Sequence, residues 1–165
     1  MKKFIIIGMP GSGKSTMAKF LCSQISLSFY DLDLEIEKNE GKNIREIFKE
    51  NGENYFREIE TFTLKKIIKE KNNFILATGG GTPCFNDNMN LINKYGISIF
   101  LDTSLDILKE RIARNNKRPL FNSSDNLKKD LSDLLNKRIP FFSLSNHTIK
   151  DNNREETLSI INSYT

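Results

Sequence analysis

Cysteine is scarce in this chain of 165 residues: Cys22 and Cys84 stand alone, without metal-ligand spacing and without a disulfide framework. That scarcity points to a reducing cytosol. Long hydrophobic runs are also missing. The apolar stretch behind Lys2-Lys3 stops at Gly8, too short for the core of a secretory signal, and no transit peptide is expected. There is no internal repeat, no linker and no low-complexity tract, so one domain over 1–165 is expected. A hydrophobic share of 38% with 28% charged residues is that of a soluble globular chain rather than a disordered or membrane-spanning one. Charge of one sign does not dominate either. The net charge is +4, but bases alternate with acids, as in KKIIKEKNN, so an anionic ligand fits and nucleic acid is not required.

Glycine is sparse as well, yet it is concentrated. Three of the nine glycines fall in Gly8-Met9-Pro10-Gly11-Ser12-Gly13-Lys14-Ser15, directly after the apolar run Phe4-Ile5-Ile6-Ile7. The run suits a strand buried on both faces, and Met17 to Leu21 suits a helix. A strand, a glycine loop and a helix start bring backbone N–H groups to a phosphate. In that pattern Gly11, Ser12, Gly13, Lys14, Ser15 and Thr16 surround the phosphates of a nucleotide, with Lys14 reaching the β- and γ-phosphates and the Ser15 hydroxyl a ligand of Mg²⁺. The motif by itself leaves kinase, GTPase and regulatory ATPase open.

Further strands are expected at 27–30, 74–77, 97–101 and 147–149, with helical patterns between them. Alternation of this kind gives a parallel three-layer α/β fold. Asp31-Leu32-Asp33 follows the second strand at the carboxyl edge, where such folds bind ligands. On an extended segment the two acids would point the same way, one toward Mg²⁺ through water and one toward a substrate hydroxyl; a capping pair for a helix starting near Leu34 is the plainer alternative. Thr78-Gly79-Gly80-Gly81-Thr82 follows the third strand, and three glycines together signal either a close approach or a flexible turn. Arg57 and Glu60 share a helix face, so the acid can hold the guanidinium for a small carboxylate, the alternative being an exposed ion pair. Asp102, at the end of Ile99-Phe100-Leu101, imitates a Walker-B acid, but Thr103-Ser104 and a helix follow; it is read as a strand end, and the metal role goes to Asp31. The aperiodic stretch 115–126 reads as a phosphate-covering lid.

Taken in order, the P-loop, Asp31-Leu32-Asp33, Ile47-Phe48 through Glu60, Gly79-Gly80-Gly81, Arg118-Pro119-Leu120 and Arg138-Ile139-Pro140 closely resemble the shikimate kinase family over nearly the whole chain. The resemblance implies transfer of the γ-phosphoryl group of ATP to the 3-hydroxyl of shikimate, with Mg²⁺, in the pathway to aromatic amino acids. It implies a five-stranded parallel sheet of order 2-3-1-4-5, a lid at about 112–126 and a substrate-binding segment at about 33–61. It places Lys14 and Ser15 at phosphate and metal, and Asp31 at the metal through water. Asp33 takes the substrate hydroxyls, and Arg57, Arg138 and Gly79, Gly80 and Gly81 receive shikimate, with Glu60 steadying Arg57. Phe48 and Phe56 form apolar walls, Arg118 is the lid cation and Arg111 stacks on adenine. Partners other than shikimate and ATP are not expected, neither nucleic acid nor membrane, and a cytoplasmic monomer is. The chain departs from the family pattern at Phe142, where tyrosine is usual, and in the adenine loop at 150–154, where no residue is assigned. A gluconate kinase would show a histidine soon after the paired acids, whereas the single histidine is His147; a nucleoside-monophosphate kinase would have a more arginine-rich lid. A regulatory module without catalysis has no chemical need for Lys14, Ser15, Asp31, Asp33, Arg57, Arg118 and Arg138 together.

Overall fold

A computed structural model describes residues 2–114 and 126–164. Strands β1 (Lys3–Ile7), β2 (Ser28–Asp31), β3 (Phe74–Ala77), β4 (Ile97–Asp102) and β5 (His147–Lys150) form one sheet in the order β2-β3-β1-β4-β5. Every pairing is parallel. Central β1 shows why a continuous apolar run is needed there. Phe4 and Ile6 pack on one side with Met17, Ala18 and Leu21 of α1 (Lys14–Gln24) and Ile161 of α7 (Arg154–Ser163). Ile5 and Ile7 pack on the other with Leu32 and Ile36 of α2 (Leu32–Glu40) and Leu64 of α3 (Ile44–Glu70). That second layer also contains α4 (Asn88–Tyr95), α5 (Leu105–Ala113) and α6 (Leu127–Phe142). All four apolar residues of β1 are at most 1% exposed, each worth about 1.5–3 kcal/mol of burial.

One helix start departs from the sequence expectation. The second helix begins at Leu32, not near Leu34, so Asp31 ends β2 and Asp33 already lies in the first turn of α2. The acids therefore meet through a strand-to-helix turn, not along an extended segment. Helix α5 starts after Ser104, whose side chain makes no capping bond, unlike Asn43, which forms a reciprocal capping box with Glu46 ahead of α3.

Helix α3 is not straight. Gly52 sits inside it at φ 81°, ψ 175°, a conformation essentially restricted to glycine. The kink turns the short arm carrying Phe48 back over the long arm carrying Phe56, bringing their rings to 4.6 Å. Phe142, where the family pattern has tyrosine, is fully buried and stacks on Phe100 at 4.9 Å. Among the described residues no helix is long and apolar enough to cross a membrane.

Candidate active site

Parallel strands deliver their carboxyl ends to one edge, where residues at or just after the ends of β1, β2, β3 and β5 line a single cleft of about 1160 Å³. The P-loop follows β1. Gly13 caps α1 in the left-handed region at φ 93°, which leaves the first helical N–H groups open to an anion. Lys14 is 8% exposed, and its ammonium donates to the carbonyls of Gly8 (3.0 Å) and Met9 (2.8 Å). Lys14, Ser15 and Thr16 line the cleft with Gly11 and Gly13.

Asp31 makes the capping contacts that the sequence offered as the plainer alternative, and it also faces the P-loop. Its Oδ1 accepts the N–H groups of Asp33 (3.1 Å) and Leu34 (3.4 Å), capping α2, while its Oδ2 accepts the Ser15 hydroxyl at 2.5 Å. Capping thus fixes the carboxylate beside the P-loop serine. Hard oxygens from a hydroxyl and a carboxylate suit Mg²⁺, which takes few protein ligands and fills the rest of its shell with water and phosphate oxygens. Asp102 ends β4, as expected, and does not line the cleft.

Asp33 lies deeper. Its pKa is pushed up to about 6, first by burial, then by the charges of Asp31 and Glu60, with Lys14 opposing. Across from it, Glu60 is fully buried and accepts Arg57 Nη1 at 2.7 Å, so the pair is not an exposed one. Arg57 is held further by Glu53 Oε1, at 3.2 Å from both Nε and Nη2. Its guanidinium also sits 4.1 Å from the ring of Phe85 and 5.0 Å from that of Phe56.

The triple glycine is a crowded turn, not a flexible one. A Cβ on Gly79 would lie 3.0 Å from Asp33 Oδ1 and Glu60 Oε1, one on Gly80 2.6 Å from Pro10 Cδ, and one on Gly81 2.9 Å from Arg57 Nη2. The acids, the arginine and the P-loop proline thus converge on backbone that has no room for a side chain. Arg138 reaches the same turn from α6 and donates to the Gly80 carbonyl at 2.9 Å. It is 7% exposed, and burial lowers its pKa. Neighbouring Cys84, its thiol pushed up to about 11 by burial, is no nucleophile at neutral pH.

Arg111 donates to the carbonyls of Gly11 and Ser12, both at 3.2 Å, which puts it against the P-loop backbone. Arg118 and most of the expected lid lie outside the described residues. Sequence reading missed Asn152, which donates to the Ser12 carbonyl at 2.8 Å from the turn after β5. The available signal was the Asp-Asn-Asn run immediately after a strand, and Asp151 and Asn152 both adopt φ 53°. Arg154, stacked over Phe20 at 4.7 Å, joins Asn152 in lining that end of the cleft.

A P-loop at a helix start, a carboxylate on its serine and a second lobe with the buried Arg138 and half-buried Arg57 define a P-loop kinase acting on a small anionic acceptor. A family model described as shikimate kinase matches residues 10–165. A shikimate kinase of Clostridium botulinum (strain 657 / Type Ba4) is 37% identical over 99% of this chain and 96% of its own. Two relatives of solved structure share the fold. The shikimate kinase of Bacteroides thetaiotaomicron superposes with a TM-score of 0.90 at 30% identity over 99% of this chain and 97% of that one. That of Acinetobacter baumannii, in complex with shikimate, gives 0.91 at 30% identity over 100% and 95%. The chain belongs to the shikimate kinase family, and it is an ATP-dependent kinase that phosphorylates shikimate.

Proposed function

We propose that shikimate binds between the glycine turn and the kinked α3, with its 3-hydroxyl at Asp33 and its carboxylate at Arg57 and Arg138. The observation that carries this reading is the grouping, in one cleft, of Lys14, Ser15 and Asp31 with the buried Arg138, the half-buried Arg57 and the carboxylate of Asp33. An anionic polyol needs a cationic fork at one end and a hydroxyl acceptor at the other. Arg57 and Arg138 supply the fork, the Gly79–Gly81 backbone the floor, Phe48 and Phe56 the apolar walls, and Glu60 holds Arg57 in place.

The nucleotide lies along the P-loop, its phosphates on the backbone N–H groups of Gly11 to Thr16 and its adenine toward Arg111, Asn152 and Arg154. Ser15 directly and Asp31 through water would hold Mg²⁺, which would neutralise charge on the phosphates. Lys14 and the lid residue Arg118 place further positive charge around the migrating group. Asp33 orients the attacking hydroxyl and accepts its proton, a modest demand because a loose transition state needs little base strength. The enzyme works as a monomer in the cytosol.

Asp33→Asn separates these roles. Nucleotide binding by titration should stay within about twofold while turnover falls by about 10²-fold or more, the size typical of a lost acid–base group. Turnover like that of the native enzyme would remove Asp33 from the chemistry. Chelating Mg²⁺ should weaken ATP binding and leave shikimate binding unchanged in the absence of nucleotide.

A further inference from the structure

Thr82 carries no role in the account so far, yet it occupies a constrained place. It follows the glycine turn, starts the short 3-10 turn Thr82–Cys84 and is fully buried. Its backbone is fixed at both ends: the N–H donates to the Gly79 carbonyl at 3.3 Å, and its carbonyl accepts from Asn88 Nδ2 at 2.9 Å. From that anchored position the Thr82 hydroxyl donates to Glu60 Oε1 at 2.6 Å.

Glu60 is a fully buried carboxylate whose two oxygens have separate partners, Oε2 taking Arg57 Nη1 at 2.7 Å and Oε1 taking Thr82. The terminal torsion of a glutamate is broad. With one oxygen held, the other is aimed; with it released, the carboxylate can turn away from the arginine. The second acid on Arg57, Glu53, is 54% exposed and its contacts are longer, at 3.2 Å, so the orientation of the guanidinium is set from the Glu60 side. The segment after Thr82 tightens the same arginine. Phe85 covers the guanidinium, and Asn86 Nδ2 donates to the Arg57 carbonyl at 3.0 Å.

We infer that Thr82 is a positioning residue for acceptor binding: its hydroxyl locks the Glu60 carboxylate, which in turn holds the Arg57 fork in the orientation that receives the substrate carboxylate. This rests on the reading that Arg57 takes that carboxylate. Substrate specificity at this end of the cleft is therefore set partly by a hydroxyl that never touches the substrate.

The test measures shikimate and ATP binding by titration, together with steady-state turnover, for Thr82→Val, Thr82→Ala and Thr82→Ser. Loss of a hydrogen bond to a charged group should raise the shikimate Kd and KM about tenfold in the valine and alanine variants. Turnover at saturating shikimate and the ATP Kd should stay within about twofold, because the phosphate end is untouched. Serine should restore shikimate affinity. The serine–alanine pair isolates the hydroxyl even where valine disturbs packing. Unchanged shikimate binding in the alanine variant, or equal weakening in serine and alanine, would overturn the inference. Arg57→Ala is measured in parallel. If it weakens shikimate binding and the Thr82 variants do not, only the role of Thr82 falls; if it leaves shikimate binding unchanged, the reading of Arg57 falls and the inference with it.

Discussion

At the scale of single residues, Asp33 sets activity against stability. Its pKa in the folded chain, about 6, exceeds the ordinary carboxylate value of 3.8, so between those values the native state holds more protons than the unfolded one. Stability of the free enzyme should accordingly fall as pH rises from about 4 to about 6, with a cost on the order of 2–3 kcal/mol once the group is fully charged. Activity has the opposite sign, since only the carboxylate accepts a proton. The pH profile of kcat/KM for shikimate should show an acidic limb near 6, which reports the free enzyme. Asp33→Asn should melt roughly 5 °C higher than the native chain at pH 8 while losing turnover. A variant that melts lower, or a rate profile flat down to pH 5, would contradict the burial assigned to this carboxylate. Much at this scale was legible beforehand: Lys14, Ser15, Asp31, Asp33, Arg57 and Glu60 all reach one cleft or its wall. The contacts that hold them were not. Thr82 meets Glu60 across 22 positions, and Asn152 meets Ser12 across 140. No periodicity encodes such a meeting; only the packed sheet edge brings it about.

At the scale of elements, two backbone features shape the acceptor side. Gly52 has open space around an added Cβ, so its importance lies in its dihedral angles, not in crowding. Gly52→Ala should cost about 1–3 kcal/mol of stability and raise the shikimate KM by swinging the Phe48 arm, while leaving ATP binding intact. Gly80→Ala is the converse case, a clash 2.6 Å from Pro10 with no unusual dihedral. It presses the glycine turn against the P-loop and should weaken both substrates together. Two binding titrations per variant decide the matter, and the same pattern in both variants would sink the distinction. The strands were easy to read because apolar runs in a parallel sheet are unbroken. The kink was not, because helical spacing continues on both sides of Gly52, and an isolated glycine within a helical pattern is ordinarily tolerated.

At the scale of the whole molecule, the cleft concentrates the charge. Its described lining has seven cationic side chains (Lys14, Arg45, Lys49, Arg57, Arg111, Arg138 and Arg154) against the acids Asp31, Asp33 and Glu60, an excess equal to the net +4 of the chain. The remaining residues of the sequence sum to a formal charge of zero. An anionic acceptor and a polyphosphate should both be drawn to such a concave field. Raising ionic strength from about 0.01 to 0.15 M, which shortens the screening length from about 30 to 8 Å, should lower kcat/KM for shikimate with less effect on kcat. Replacing the exposed rim pair as Arg45→Gln/Lys49→Gln should flatten that dependence; an unaltered salt slope would show that the rim does not steer.

The measurement that bears most directly on the central claim is ADP release in a coupled assay with ATP and Mg²⁺, comparing shikimate, gluconate and nucleoside monophosphates as acceptors. Release that depends on shikimate alone is the expected result. Release with gluconate or a nucleoside monophosphate in its place, or none with any acceptor while ATP still binds, would contradict it.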